Sequence, residues 1–217
     1  MPAIDVVRVA SGSDNCYIVK SPSSSILVDT CKTSAREQVL SAAREHGVCA
    51  IVLTHGHFDH CQNAAYLSRK LGIPVAMNAI DYELSCDNAL QKMHSNTPLG
   101  MILRIKSARE FKTEVIEPFR VASFISEGDS LAQYGVDARV VGLPGHTLGS
   151  IGIDLGEGGL IVGDALINVP NARKTMIYAD AAAMEQSAER IAGLGKRTLY
   201  YGHGEPTENW LYERGER

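Results

Sequence analysis

Apolar positions come first in short runs, then at helical spacing. Residues 4–9, 16–20 and 25–29 are β-prone stretches parted by Ser, Gly, Asp, Asn and Pro, which predicts short antiparallel strands with tight connections. Over 34–46 the period changes: Ala35, Val39 and Ala42 or Ala43 recur between polar residues, the pattern of an amphipathic helix. Residues 49–53 form an unbroken apolar run, which suits a strand covered on both faces. A further helix is predicted from Asp59, with Ala64, Leu67 and Leu71 on one face and Gly72 and Pro74 as its stop.

The second half repeats this sense. Strands are predicted near 119–124, 138–142, 150–154 and 159–162, a helix over 180–193, and a strand over 198–201. Hairpin-like connections at 4–29 and 150–162 combine with helix-bearing ones elsewhere. Two mixed sheets packed face to face with helices outside, an α/β (α+β) arrangement, accommodate both better than one doubly wound sheet does. Nothing divides the 217 residues into two domains, and 1–217 is expected to be one. Residues 80–113 stand apart, without a strand signal, as a helical insert. Leu99, Met101, Ile102, Leu103 and Ile105 lie in that insert. They are too many for a solvated loop, so packing on the core, on a second copy of the chain as a homodimer contact, or over a substrate is expected.

Composition acts mainly by exclusion. A formal net charge of -4 and a pI near 6.0 offer no basic surface for nucleic acid. No window approaches the ~20 apolar residues of a membrane span. The opening residues carry neither the basic nor the apolar region of a signal peptide. Five cysteines without a C-x-x-C pair make a disulfide framework a poor reading. The expectation is a cytoplasmic protein that meets a small-molecule substrate and neither nucleic acid nor membrane.

Chemistry concentrates at Thr54-His55-Gly56-His57-Phe58-Asp59-His60. His55 and His57 follow a buried strand, and two-residue spacing in extended chain sends both imidazoles to one side. Asp59 and His60 fall where the next helix begins and face the site from another direction. Imidazoles with a carboxylate suit zinc or iron. A helix cap would need Asp59 alone and would explain none of the histidines. His146 lies in Gly145-His146-Thr147-Leu148-Gly149-Ser150, Asp164 follows an apolar strand, and His203 follows another in Gly202-His203-Gly204. Five of the seven histidines thus stand at strand ends.

This set of motifs resembles the metallo-β-lactamase-fold superfamily over essentially the whole chain. The resemblance implies a four-layer αββα sandwich. It also implies one metal on His55, His57 and His146, another on Asp59, His60 and His203, and Asp164 bridging the two. Asp29, in Ile26-Leu27-Val28-Asp29-Thr30, would support the ligands from behind. Two zinc ions per chain are the implied cofactors, with iron or manganese as the other candidates. Such a pair, about 3.5–4 Å apart, lowers the pKa of water towards ~7 and holds a hydroxide as nucleophile. Asp59 would orient that hydroxide as well as bind metal.

Within the superfamily the sequence narrows the choice. Zinc β-lactamases commonly carry Cys where Asp164 stands, and flavodiiron proteins a Glu where His57 stands. Quorum-sensing lactonases tend to have Tyr where this chain has Ile167. RNase Z-like nucleases need an arm and a basic surface that length and charge do not provide. Glyoxalase II shares the ligand set, but fourteen residues after His203 are too few for its glutathione-binding extension. The expected function is a dinuclear metallohydrolase acting on a small ester, thioester or lactone. Alternatives are a mononuclear-iron persulfide dioxygenase, whose two-His, one-Asp set is also present, and a non-catalytic metal-binding member of the fold. Arg173 and Lys174, in the loop after Asp164, are candidate contacts for an acidic substrate. Cys61 is expected to be packed and inert, and His46 and His94 to be solvated.

Overall fold

Strand periodicity and helix periodicity meet in a computed structural model that describes residues 4–208. The first sheet contains β1 (Asp5–Ser11), β2 (Asp14–Lys20), β3 (Ser25–Val28), β4 (Val48–Val52), β5 (Val75–Met77) and β6 (Val121–Phe124), adjacent in chain order. β1, β2 and β3 pair antiparallel, while β3 to β6 run parallel. Helices α1 (Arg36–Glu45), α2 (Phe58–Cys61), α3 (Ala64–Leu71) and α4 (Pro98–Thr113) fall in the connections after β3, β4 and β5.

The second sheet is also mixed. It is built from β7 (Arg139–Gly142), β8 (Ile151–Asp154), β9 (Leu160–Gly163), β12 (Thr198–Tyr201) and β13 (Thr207–Glu208), in the order β13-β12-β9-β8-β7. A separate hairpin joins β10 (Leu166–Asn168) to β11 (Ala172–Lys174), and α5 (Ala181–Gly193) follows it.

Alternation along the strands sorts the core into layers. Val19, Ile26, Val28 and Val52 of the first sheet meet Val140, Ile151, Ile153 and Ile161 of the second. The intervening residues Ile18, Leu27, Ile51 and Met77 turn outward onto Val39 and Leu40 of α1 and Leu67 of α3. On the far side, Val141, Leu160, Val162 and Leu199 pack on Ala188 and Ile191 of α5. The result is the expected αββα sandwich.

Four strands escaped the pattern reading: β5, β10, β11 and β13. Each is two or three residues long, too short to display a period of two. The helix expected from Asp59 is two helices. Asn63 stands at the break, and its Nδ2 donates to the carbonyls of Thr30, Cys31 and Lys32 at 2.9, 3.1 and 2.7 Å, which ties the helix break to the loop after β3. Within 80–113 lie α4 and a single-turn helix at Asn88–Leu90. Leu99, Met101, Ile102 and Ile105 do not pack on the core, being 46–65% exposed on the outer face of α4. Only Leu103 of that group turns inward, where it lines a cleft. No helix among the described residues is long and apolar enough to cross a membrane.

Candidate metal centre

Strand ends deliver the site. β4 runs out at Val52, and the next residues carry His55 and His57 over the rim of the first sheet. The first turn of α2 then presents Asp59 and His60. From the second sheet, the connection between β7 and β8 brings His146, the end of β9 brings Asp164, and the end of β12 brings His203. The two rims are stitched directly: the Ile151 N–H donates to the Thr54 carbonyl at 2.9 Å.

All seven side chains converge. His55 Nε2 lies 3.1 Å, and His146 Nε2 3.0 Å, from His57 Nδ1. Asp164 Oδ1 stands 3.4 Å from His60 Nε2, while its Oδ2 is 3.1 Å from His203 Nε2 and 3.6 Å from His146 Nε2. Asp59 Oδ2 is 3.5 Å from His203 Nε2. Three trios keep one donor atom per residue within 4.8 Å of the others: His55, His57 and His146; His55, His60 and Asp164; Asp59, His60 and His203.

Hydrogen bonds from behind orient four of the five rings; His57 instead turns Nδ1 to the centre and has its Nε2 buried without a partner. His146 Nδ1 donates to the Ile177 carbonyl at 2.9 Å and His203 Nδ1 to the Ser13 carbonyl at 2.8 Å. His60 Nδ1 donates to Asp29 at 2.8 Å. The Thr54 hydroxyl gives its proton to Asp29 at 2.8 Å, so it accepts from His55 Nδ1 at 3.1 Å. Four rings therefore turn an Nε2 toward the centre, and backing groups hold them there. His60 Nε2 and Asp164 Oδ1 are buried without any hydrogen-bond partner. Lone pairs aimed at one another and orphaned buried acceptors are what a bound cation would satisfy.

Electrostatics divides the cluster in two. Burial, with neighbouring imidazoles adding to it, pushes His55 and His57 well below the usual imidazole range. Burial also lowers His146, against the opposing pull of Asp164. On the other side, burial is outweighed by carboxylates. Asp164 and Asp29 hold His60 well above its ordinary value, and Asp164 and Asp59 hold His203 up at about 9. Asp164 itself resists burial because His203 and His60 keep it ionised.

The family model of the metallo-beta-lactamase superfamily matches residues 11–203. The chain belongs to that superfamily. Among its relatives, the hydroxyacylglutathione hydrolase of Photobacterium profundum is 28% identical over 169 residues, 75% of this chain and 64% of that one. The atrochrysone carboxyl ACP thioesterase of Aspergillus fumigatus is 28% identical over 227 residues, 96% of this chain and 60% of that one. This chain thus spans less than two thirds of either enzyme. The crystal structure of TTHA1623 in a di-iron-bound form superposes with a TM-score of 0.69 at 25% identity, covering 97% of both chains.

Beside the cluster, this member of the metallo-beta-lactamase superfamily has a cleft of about 200 Å³, with Phe58, Leu103, Phe111 and Met176 among its apolar walls. Arg173 and Lys174 do not line it, which corrects the expectation that they border it. Both sit on β11, where Arg173 pairs with Ile167 and Lys174 with Leu166. Lys174 is committed to Glu185 of α5 at 2.7 Å, and Arg173 donates to the Asn171 carbonyl. They line a separate pocket with Pro98 and Met184. Among the described residues, the lysines facing the cleft are Lys32 and Lys106.

Sequence reasoning also missed the braces of the two histidine loops. Buried Asp81 accepts from Gly56 N–H at 3.0 Å, from the Thr147 hydroxyl at 2.6 Å and from Gly149 N–H at 2.7 Å. Asn88 accepts from Phe58 N–H and donates to the Gly56 carbonyl, and Gln91 donates to the His146 carbonyl. No motif marks these three; the loop partners named here lie 25 or more residues away. Cys61 is packed as expected, its thiol raised by burial and donating to the Gly56 carbonyl. His46 caps the end of α1, and His94 is exposed.

Proposed function

We propose that this protein is a metal-dependent hydrolase with a two-metal centre, acting on a small thioester, ester or lactone. His55, His57 and His146 would hold one metal and Asp59, His60 and His203 the other, with Asp164 serving both. Zinc suits this set of imidazole and carboxylate donors; the di-iron-bound TTHA1623 supports two positions and makes iron the other candidate. The observation that carries the reading is the convergence of imidazole nitrogens and carboxylate oxygens on one buried point, with His60 Nε2 and Asp164 Oδ1 lacking hydrogen-bond partners there.

A divalent pair bound there lowers the pKa of water and polarises a scissile carbonyl, so no serine or cysteine nucleophile is needed. Around it, Asp59 is the one carboxylate of the cluster that is partly open, with 18% of its side chain exposed. It accepts a hydrogen bond from the attacking water and orients it. Phe58 and Phe111 form an apolar wall beside His57 and keep bulk water from that flank. The names of the two relatives favour thioesters over the other two substrate classes, because hydroxyacylglutathione is a thioester.

Assays of the metal-replete protein on an acyl thioester, an aryl ester and a lactone test the reading. Turnover of the thioester that chelation abolishes and zinc restores is expected, with near two metals per chain. Failure on all three classes overturns it, and about one iron per chain would favour the persulfide dioxygenase alternative.

Metal loading should also release protons unequally. In the metal-free protein the neighbouring carboxylates favour the protonated forms of His203, held up at about 9, and of His60, whereas burial favours the neutral forms of His55, His57 and His146. Filling the Asp59, His60 and His203 position should therefore release more protons than filling the other. Calorimetric titration of zinc in buffers of different ionisation enthalpy reads the difference. Acidification from pH 9 to 7 should already weaken the former position while sparing the latter.

A further inference from the structure

Lys32 is an anomaly among the lysines of this chain. It is held at the cleft, with 30% of its side chain exposed, and its ammonium lies 3.4 Å from buried Asp14 and 5.4 Å from the centroid of the Phe58 ring. Its backbone is pinned as well. Asn63 Nδ2 donates to the Lys32 carbonyl at 2.7 Å, and the next N–H, of Thr33, donates to Gln62 Oε1 at 2.9 Å. Gln62 and Asn63 directly follow the turn that carries Asp59 and His60, so the ammonium and the candidate metal ligands share one rigid support. By contrast Lys106, the other cation of the cleft, is 68% exposed at the rim and 3.7 Å from Glu110.

A lysine held this way has lost its freedom before any ligand arrives, which lowers the entropic cost of binding an anion. Asp14 does not consume it entirely, because the ammonium has three N–H donors and Asp14 Oδ2, at 3.4 Å, faces one of them. Of the other acids lining the cleft, Asp59 and Asp164 would be committed to the metals in the proposed centre, and Glu110 pairs with Lys106 at 3.7 Å. Apolar walls beyond the cation fit a short hydrocarbon stretch.

We propose that Lys32 binds a carboxylate on the acyl half of the substrate, so that the preferred substrates are acidic thioesters, half-esters of small dicarboxylic acids with a thiol. This rests on the hydrolase reading above and specifies its substrate class. A charge-assisted contact from a preorganised ammonium should give about tenfold to a hundredfold preference for the acidic substrate over its neutral analogue.

The test has two arms on the zinc-loaded protein. In the first, kcat/KM is compared for succinyl and butyryl thioesters of one thiol. In the second, calorimetry compares binding of succinate and glutarate with butyrate, whose single carboxylate controls for contact with metal. Preference for the dicarboxylic members is expected in both arms. It should collapse in Lys32→Gln through KM rather than kcat, return in part in Lys32→Arg, and survive in Lys106→Gln. Equal binding of succinate and butyrate by the unmodified protein, or a preference that Lys32→Gln leaves intact, overturns the proposal. No thioester turnover alongside a Lys32-dependent binding preference would overturn the hydrolase reading and leave this site standing.

Discussion

On the proposed two-metal assignment, Asp164→Ala is expected to empty both positions, whereas His146→Ala is expected to leave the Asp59, His60 and His203 position filled. The difference follows from reach. Asp164 Oδ1 faces His60, while Oδ2 faces both His203 and His146, so one carboxylate serves both halves of the cluster. Its removal also deletes the charge that opposes burial of two imidazoles. Metal supplies several kcal/mol of charge stabilisation to a reaction of this type. On the proposed assignment kcat/KM therefore falls by about 10³-fold or more in Asp164→Ala. Metal content measured beside activity and circular dichroism checks the result. Full occupancy of both positions in Asp164→Ala would remove it from the ligand set.

Asp29→Ala should damage stability and metal affinity together. Asp29 accepts three hydrogen bonds of 2.8 Å, from the Thr54 N–H, the Thr54 hydroxyl and His60 Nδ1. It does so at φ 62, in the left-handed region, which aspartate tolerates better than alanine does. Alanine leaves buried donors unpaired, at about 1–3 kcal/mol each, for a loss of about 3 kcal/mol or more in the metal-free protein. It also frees the His60 ring to turn, which weakens zinc binding at that position by about 10–100-fold. Asp29→Asn keeps the backbone preference and one acceptor, so it should recover part of the stability and less of the affinity. Chemical denaturation and competition with a zinc chelator separate the two losses. Unaltered zinc affinity in Asp29→Ala would show that His60 needs no support from behind.

The legible residues and the illegible ones differ in a simple physical respect. His55, His57, Asp59 and His60 crowd into one turn, and each further candidate follows an apolar run that ends in glycine or next to it. Clusters and strand ends are local, so the sequence displays them. The four layers were legible for the same reason, because alternation and helical spacing are properties of neighbouring residues. Asp81, Asn88 and Lys32 act across loops that only the fold brings together. An isolated Asp or Lys in a polar stretch carries no periodic signal. Arg173 and Lys174 misled because basic residues after Asp164 suggest a cleft wall. A hairpin of two three-residue strands, too short to show a period of two, holds both on β11 and pairs Lys174 with Glu185 of α5 instead.

The stitched rims carry a further consequence. His55, His57, Asp59 and His60 belong to the first sheet's half of the chain, and His146, Asp164 and His203 to the second's. Every ion in the proposed centre would therefore be gripped from both sides of the sandwich at once. It would act as a clasp that closes a loop of chain running from the first sheet to the last strands. Opening the sandwich would require letting go of the ion, so unfolding and metal release become linked in one equilibrium. The abundance of the folded protein in a cell would then follow metal supply, and starvation for metal would deplete the molecule itself as well as its activity.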